Sequence, residues 1–136
     1  MRNEQQMLEL ILSTARQDER IRAVCLEGSR TNPKAPRDIF QDYDVVYVVG
    51  ETASFQQDKG WIDRFGKRLY MQYPEDHPVY PSDREHCYGW LIQFADGNRL
   101  SPCFYRRLGA GTRCKGQPVH RFAGQGRAVC RPWACR

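Results

Sequence analysis

The sequence predicts an α/β fold of the α+β kind, followed by an irregular tail, and three observations carry this. Val45-Val46-Tyr47-Val48-Val49 is a β-branched and aromatic run of strand length. Met7, Leu8, Ile11, Leu12 and Ala15 recur at helical spacing. All sixteen acidic residues lie before Leu100, so the chain is made of two materials. Met1 to Arg99 holds thirteen Lys and Arg against those sixteen, net −3, whereas the segment from Leu100 holds eight and no acid, net +8.

Taken in order, Asn3 and Gln6 stand like a capping box before the first amphipathic helix, which should cover one face of a sheet. Ile21 to Leu26 is the first strand, and Cys25 within it reads as a small buried apolar residue. Gly28-Ser29 ends that run. The connector to Asp42 contains Pro33 and Pro36, which disfavour a long helix. Val45 to Val49 follows as the second strand, closed by Gly50. Phe55, Trp61, Ile62, Phe65 and Leu69 suit one or two short helices interrupted at Gly60, their aromatics facing the core. Leu69 to Gln72 is a short strand, and Pro74 to Pro81 a turn-rich loop whose Glu75, Asp76 and His77 read as exposed loop polarity. Trp90 to Phe94, then Ala95-Asp96-Gly97-Asn98, then Arg99 onward reads as a β-hairpin with Asp-Gly in its turn.

The candidate site lies between the first two strands. Asp42 and Asp44, two apart at the head of an apolar strand, should share a face and repel each other unless a cation lies between them. Hard oxygen donors of this kind suit Mg²⁺. Gly28 lets a phosphate approach the backbone, and the Ser29 hydroxyl can bind its oxygen. Arg30 adjoins this pair and could neutralise a polyphosphate; Lys34 and Arg37 in the same connector read equally well as ordinary loop residues. One half would hold a triphosphate, the other its metal.

Gly28-Ser29, a gap and Asp42-x-Asp44 followed by apolar residues resemble the signature of the nucleotidyltransferase superfamily with the polymerase-β-like fold. Arg22-Ala23-Val24, Gly28-Ser29-Arg30, Asp38-Ile39-Phe40-Gln41-Asp42-Tyr43-Asp44-Val45-Val46-Tyr47, Trp61-Ile62-Asp63-Arg64-Phe65-Gly66 and Asp96-Gly97-Asn98-Arg99 resemble the aminoglycoside 6-adenylyltransferases, the streptomycin-modifying enzymes. The resemblance covers about Met1 to Arg99 and is lost after it. It implies a mixed sheet with flanking helices, and transfer of AMP from ATP to a hydroxyl of an aminoglycoside with release of pyrophosphate. In this resemblance Asp42 and Asp44 hold Mg²⁺ and carry catalysis, while Gly28, Ser29 and Arg30 bind the nucleotide. The family's third carboxylate is expected about where Ser101 stands. A hydroxyl does not replace that acid.

The chain departs from the family after Arg99. Pro102 lacks the N–H that a ladder needs, which puts the last strand in doubt unless it lies at an edge. Three readings of the tail compete. It could be a basic nucleic-acid arm with Phe104, Tyr105, Phe122 and Trp133 as stacking surfaces. It could be a zinc site of Cys114, His120, Cys130 and Cys135, although no Cys-x-x-Cys is present. It could be translation out of frame, which fits best: Arg, Gly, Ala, Pro, Cys and Trp have G- or C-rich codons, and the acids vanish where the resemblance stops.

The sequence is therefore divided into an incomplete nucleotidyltransferase domain over 1–99 and a basic Cys/Gly/Arg-rich tail over 100–136. The family's helical C-terminal domain, which helps form the drug pocket, is missing, so weak or no activity is expected. The alternative is a partner-binding module of toxin–antitoxin type. No apolar run approaches membrane-spanning length and no signal peptide is evident, so the expected compartment is the cytoplasm. The localised charge argues against nucleic acid as a partner. ATP and an aminoglycoside remain the expected partners, and oligomeric state is left open.

Overall fold

The computed structural model describes residues 1–79 and 82–106, together with the backbone of 117–118. Helix α1 spans Glu4–Gln17. Its N-terminus is closed as the sequence predicts: Gln6 N donates to Asn3 Oδ1, and Asn3 N donates to Gln6 Oε1, both at 2.9 Å. Strand β1 (Ile21–Glu27) leads through a 3₁₀ turn (Gly28–Thr31) and a connector into β2 (Tyr43–Val49). Helix α2 (Ala53–Gln57) and a 3₁₀ segment (Lys59–Phe65) follow. The break between them falls at Asp58, and the expected interruption at Gly60 lies inside the 3₁₀ segment.

The remaining strands are β3 (Arg68–Gln72), β4 (Cys87–Gly89), β5 (Leu91–Phe94), β6 (Arg99–Arg106) and the two-residue β7 (Gln117–Pro118). Among the described residues they make one mixed sheet in the order β3-β5-β6-β2-β1-β7, with β4 beside β6. Strands β2 and β6 run parallel, and the other pairs are antiparallel.

Strand β2 is buried on both faces, which explains its unbroken apolar run. Tyr43, Val45, Tyr47 and Val49 belong to the main core with Met7, Ile11, Leu12 and Ala15 of α1. Val46 and Val48 point the other way and join Cys25 and Tyr105 in a smaller cluster. Asp44 has the parity of this second face. Cys25 is fully buried, as its setting in an apolar run predicts.

Strand β6 corrects the sequence reading twice. It is central and continues to Arg106, so the folded unit passes the expected boundary at residue 99. Pro102 is tolerated because its backbone faces the place where β6 changes partner, from β5 at Leu100 to β4 at Cys103. Its carbonyl accepts from Trp90 N at 3.0 Å, at the break between β4 and β5. Its missing N–H would point to the same side, where the ladder is already interrupted.

Phe104 and Tyr105, expected as stacking surfaces of a nucleic-acid arm, are 0% and 7% exposed. Phe104 is the centre of the aromatic core, stacked on Phe55 at 4.0 Å and met edge-on by Trp61 and Trp90, each at 5.1 Å. The other residues of the arm and zinc readings (Phe122, Trp133, Cys114, His120, Cys130 and Cys135) lie outside the described residues.

The polar residues of the 74–81 loop are not idle. Glu75 Oε2 accepts from Gly89 N, and Asp76 Oδ2 accepts from the Tyr88 hydroxyl at 2.8 Å, which ties the loop to β4. The Asp-Gly hairpin turn forms as predicted, with Gly97 at φ +91°. Asp96 Oδ2 receives Arg2 Nε at 2.6 Å, and Asn98 Nδ2 donates to the Arg2 carbonyl at 3.2 Å. This turn holds the start of α1.

Candidate nucleotide site

Gly28 sits where β1 breaks into the 3₁₀ turn, at φ +71°, a conformation that glycine adopts without steric cost. A β-carbon built there would fall 2.0 Å from Asp44 Oδ2. The glycine is required twice over, by its backbone angle and by the carboxylate pressed against it. Ser29 follows on the same turn and is half-buried. Thr31 Oγ1 donates to the Gly28 carbonyl at 2.9 Å and tightens the turn.

Asp44 lies inside β2, opposite Glu27 of β1 and opposite Ser101 of β6. Cross-strand partners share a face, so the residue at the place where the family's third acid is expected stands directly beside Asp44. Asp42 precedes the strand by one residue and is half-exposed. Burial pushes the Asp44 carboxyl above the ordinary carboxylate range, and the charge of Asp42 pushes it further; Arg99 and the Ser101 hydrogen bond oppose the rise. The charge of Asp42 therefore makes ionisation of Asp44 harder.

The nearby cations divide into two kinds. Arg30 is only 8% exposed at its side chain. Its Nε donates to the Asp42 carbonyl at 2.9 Å, its Nη2 to the Gln41 carbonyl at 2.6 Å, and its guanidinium lies 3.7 Å from the centre of the Tyr43 ring. These contacts fasten the turn after β1 to the residue that precedes β2. Arg37 reaches Glu4 on α1, away from the carboxylates. Arg99 is different. It opens β6 one residue before Leu100, whose partner on β2 is Tyr43, so it stands level with Asp42 and is exposed. Residue reasoning passed over it because its place beside Asp42 follows from the parallel pairing of β2 and β6. Its adjacency to the position of the expected third acid was the available signal.

The carboxylate pair fits a divalent cation in kind: two hard oxygen donors of like charge stand two residues apart at the head of one strand, both half-buried, and a cation would offset the cost of ionising Asp44. Among the described residues no group of three or more His, Cys, Asp or Glu is arranged to hold a metal, so phosphate oxygens and water would have to complete the shell. No helix among the described residues is long and apolar enough to cross a membrane.

The family described as streptomycin adenylyltransferase matches residues 1–110. The chain belongs to this family. Among its relatives, the aminoglycoside 6-adenylyltransferase of Bacillus subtilis (strain 168) is 48% identical over 100 residues, that of Campylobacter jejuni 44% and that of Staphylococcus aureus 36%. Each alignment covers 74% of this chain but 35%, 34% and 36% of the respective relative. The crystal structure of an aminoglycoside 6-adenyltransferase from Bacillus subtilis superposes with a TM-score of 0.64 at 38% identity, over 78% of this chain and 36% of the other. The chain therefore has the nucleotidyltransferase fold of this family and spans about a third of the length of the relatives it matches. The family match reaches residue 110, and each alignment to these relatives spans 100 residues.

Proposed function

We propose that this domain binds ATP with Mg²⁺ and supplies the nucleotide half of an AMP transfer to an aminoglycoside hydroxyl, with streptomycin as the drug that the family's description names. The observation that carries this reading is the seating of the Asp44 carboxylate against Gly28, which joins the two halves of the motif in space. Gly28 and Ser29 would receive the β and γ phosphates along the open backbone of the turn. Asp42 and Asp44 would hold the cation, which when bound neutralises phosphate charge and supports departure of pyrophosphate. Arg30 serves by fixing the main chain of Asp42, and Arg99 offers its exposed guanidinium to a phosphate oxygen beside the same aspartate.

The Ser101 hydroxyl can orient the Asp44 carboxylate but stays protonated near neutral pH, so it cannot take a proton from the attacking hydroxyl. The chain spans about a third of the length of the relatives it matches, so the full transfer reaction is tested separately from nucleotide binding. The expected setting is the cytoplasm, where ATP is available. Calorimetric titration of MgATP tests the reading: micromolar to millimolar affinity is expected for the wild type and its loss in Asp42→Asn and Asp44→Asn. Equal affinity in all three proteins overturns it. Pyrophosphate release with and without streptomycin tests the transfer itself.

A further inference from the structure

Two thiols meet on the sheet face that carries Asp44. Cys87 of β4 and Cys103 of β6 have their sulfurs 2.8 Å apart, and both residues are half-buried. Their strands are antiparallel, with Cys87 opposite Tyr105 and Gly89 opposite Cys103. The pair is therefore diagonal, a placement that ordinarily keeps side chains apart. Gly89 removes the obstacle. A β-carbon there would lie 3.7 Å from Cys103 Cβ and 2.8 Å from the Pro102 carbonyl, so the direct partner of Cys103 leaves the space above it to Cys87.

We infer that Cys87 and Cys103 are a redox modification site, closing a reversible disulfide between β4 and β6. The sulfurs need to approach by less than an ångström to reach a bond of about 2.05 Å. With a low-molecular-weight disulfide as oxidant, one cysteine thiolate attacks a sulfur of the reagent and releases one small thiol, leaving a mixed disulfide on the protein. The second cysteine thiolate attacks the protein sulfur of that intermediate and expels the second small thiol. The two protons of the cysteines end on the two released thiols, the cysteines are oxidised by two electrons, and the reagent is reduced by two. Half-burial leaves the pair accessible to so small a reagent.

The closed ring would encircle Gly89, β5 and Ser101, and it would anchor β4, whose sheet partner is β6, to the strand that borders Asp44. The inference is independent of nucleotide binding and is tested without it. The full chain, folded and reduced, is treated with oxidised glutathione, quenched with iodoacetamide and cut with trypsin. Cleavage at Arg84, Arg99 and Arg106 places the two cysteines on separate peptides, 85–99 and 100–106. These should be recovered joined, should separate on adding dithiothreitol, and should not join in Cys87→Ser or Cys103→Ser. Oxidation should also raise the melting temperature of the wild type and leave that of Cys87→Ser unchanged. Recovery of both peptides fully alkylated after oxidation overturns the inference, as does pairing of either cysteine with Cys114, Cys130 or Cys135. Should a serine variant fail to fold, the wild-type peptide map with and without reductant still decides.

Discussion

The α-carbon of Gly28 is seated on the carboxylate of Asp44, so closely that a methyl group at residue 28 would fall 2.0 Å from Oδ2. A non-glycine residue at φ +71° costs about 1 to 2 kcal/mol, and the displaced carboxylate adds to this. Gly28→Ala should therefore lower the melting temperature by about 4 °C or more. It should also weaken MgATP binding, because Asp44 must leave its place. Calorimetry and a nucleotide titration on the same sample check both, and a variant that melts and binds like the wild type would contradict the seating.

The raised pKa of Asp44 gives two pH effects of opposite sign. In the unliganded protein a carboxyl with a folded-state pKa above its unfolded value favours folding when protonated, and that contribution is lost as pH rises through the folded pKa. Asp44→Asn should therefore be at least as stable as the wild type at neutral pH and should lose this part of the pH dependence. Nucleotide with Mg²⁺ needs the ionised form, so affinity should decline at a higher pH than an ordinary carboxylate would dictate. Chelation of Mg²⁺ should reduce nucleotide affinity in the wild type at neutral pH and have little further effect in Asp44→Asn. Parallel stability and binding profiles in acid would count against the assignment.

Arg99 should matter to binding and little to folding, since it is exposed at the head of β6. Arg99→Gln should weaken MgATP binding by about tenfold, the equivalent of about 1.4 kcal/mol, while Arg99→Lys keeps part of it. Melting temperatures within a degree or two of the wild type are expected. Unchanged affinity in Arg99→Gln would remove Arg99 from the site while leaving the aspartate pair untouched.

Asp18 offers a contrasting carboxylate whose role is structural. Burial would raise its pKa, but hydrogen bonds from Arg20 and from Trp61 Nε1, the latter at 2.8 Å, outweigh this and bring it down to about 2. A lowered pKa means that the stabilisation is present above the unfolded value near 3.8 and is lost as pH falls toward 2. Asp18→Asn should cost about 1.5 to 3 kcal/mol at neutral pH, with the difference from the wild type shrinking below pH 4. Chemical denaturation at several pH values measures it.

Ser101→Asp should strengthen divalent cation binding and weaken the unliganded fold together, because residue 101 is in register with Asp44 and a third negative charge there is tolerable only with a cation. Mg²⁺ should raise the melting temperature of this variant more than that of the wild type. A variant indifferent to Mg²⁺ would show that residue 101 does not face the metal position.

Much of this protein is local, and local patterns are legible in a sequence. The capping box of Asn3 and Gln6, the strand at Val45 to Val49 and the Asp-Gly turn each depend on neighbours a few residues away, so propensity and spacing suffice to find them. The motif halves at Gly28-Ser29 and Asp42-x-Asp44 were legible for the same reason, each lying at the end of an apolar run. What Pro102, Phe104 and Arg99 do was decided only in three dimensions. Pro102 is acceptable because β6 changes partner beside it, and Phe104 is core because four aromatic rings from distant segments close around it. Arg99 reaches the site because β2 and β6 run parallel in one particular register. Composition places all three in or beside a basic tail. The exchange of partners along β6 makes one a tolerated break, packing of rings from several segments makes one the centre of the core, and pairing with β2 across more than fifty residues makes one a neighbour of Asp42, none of which a local pattern encodes.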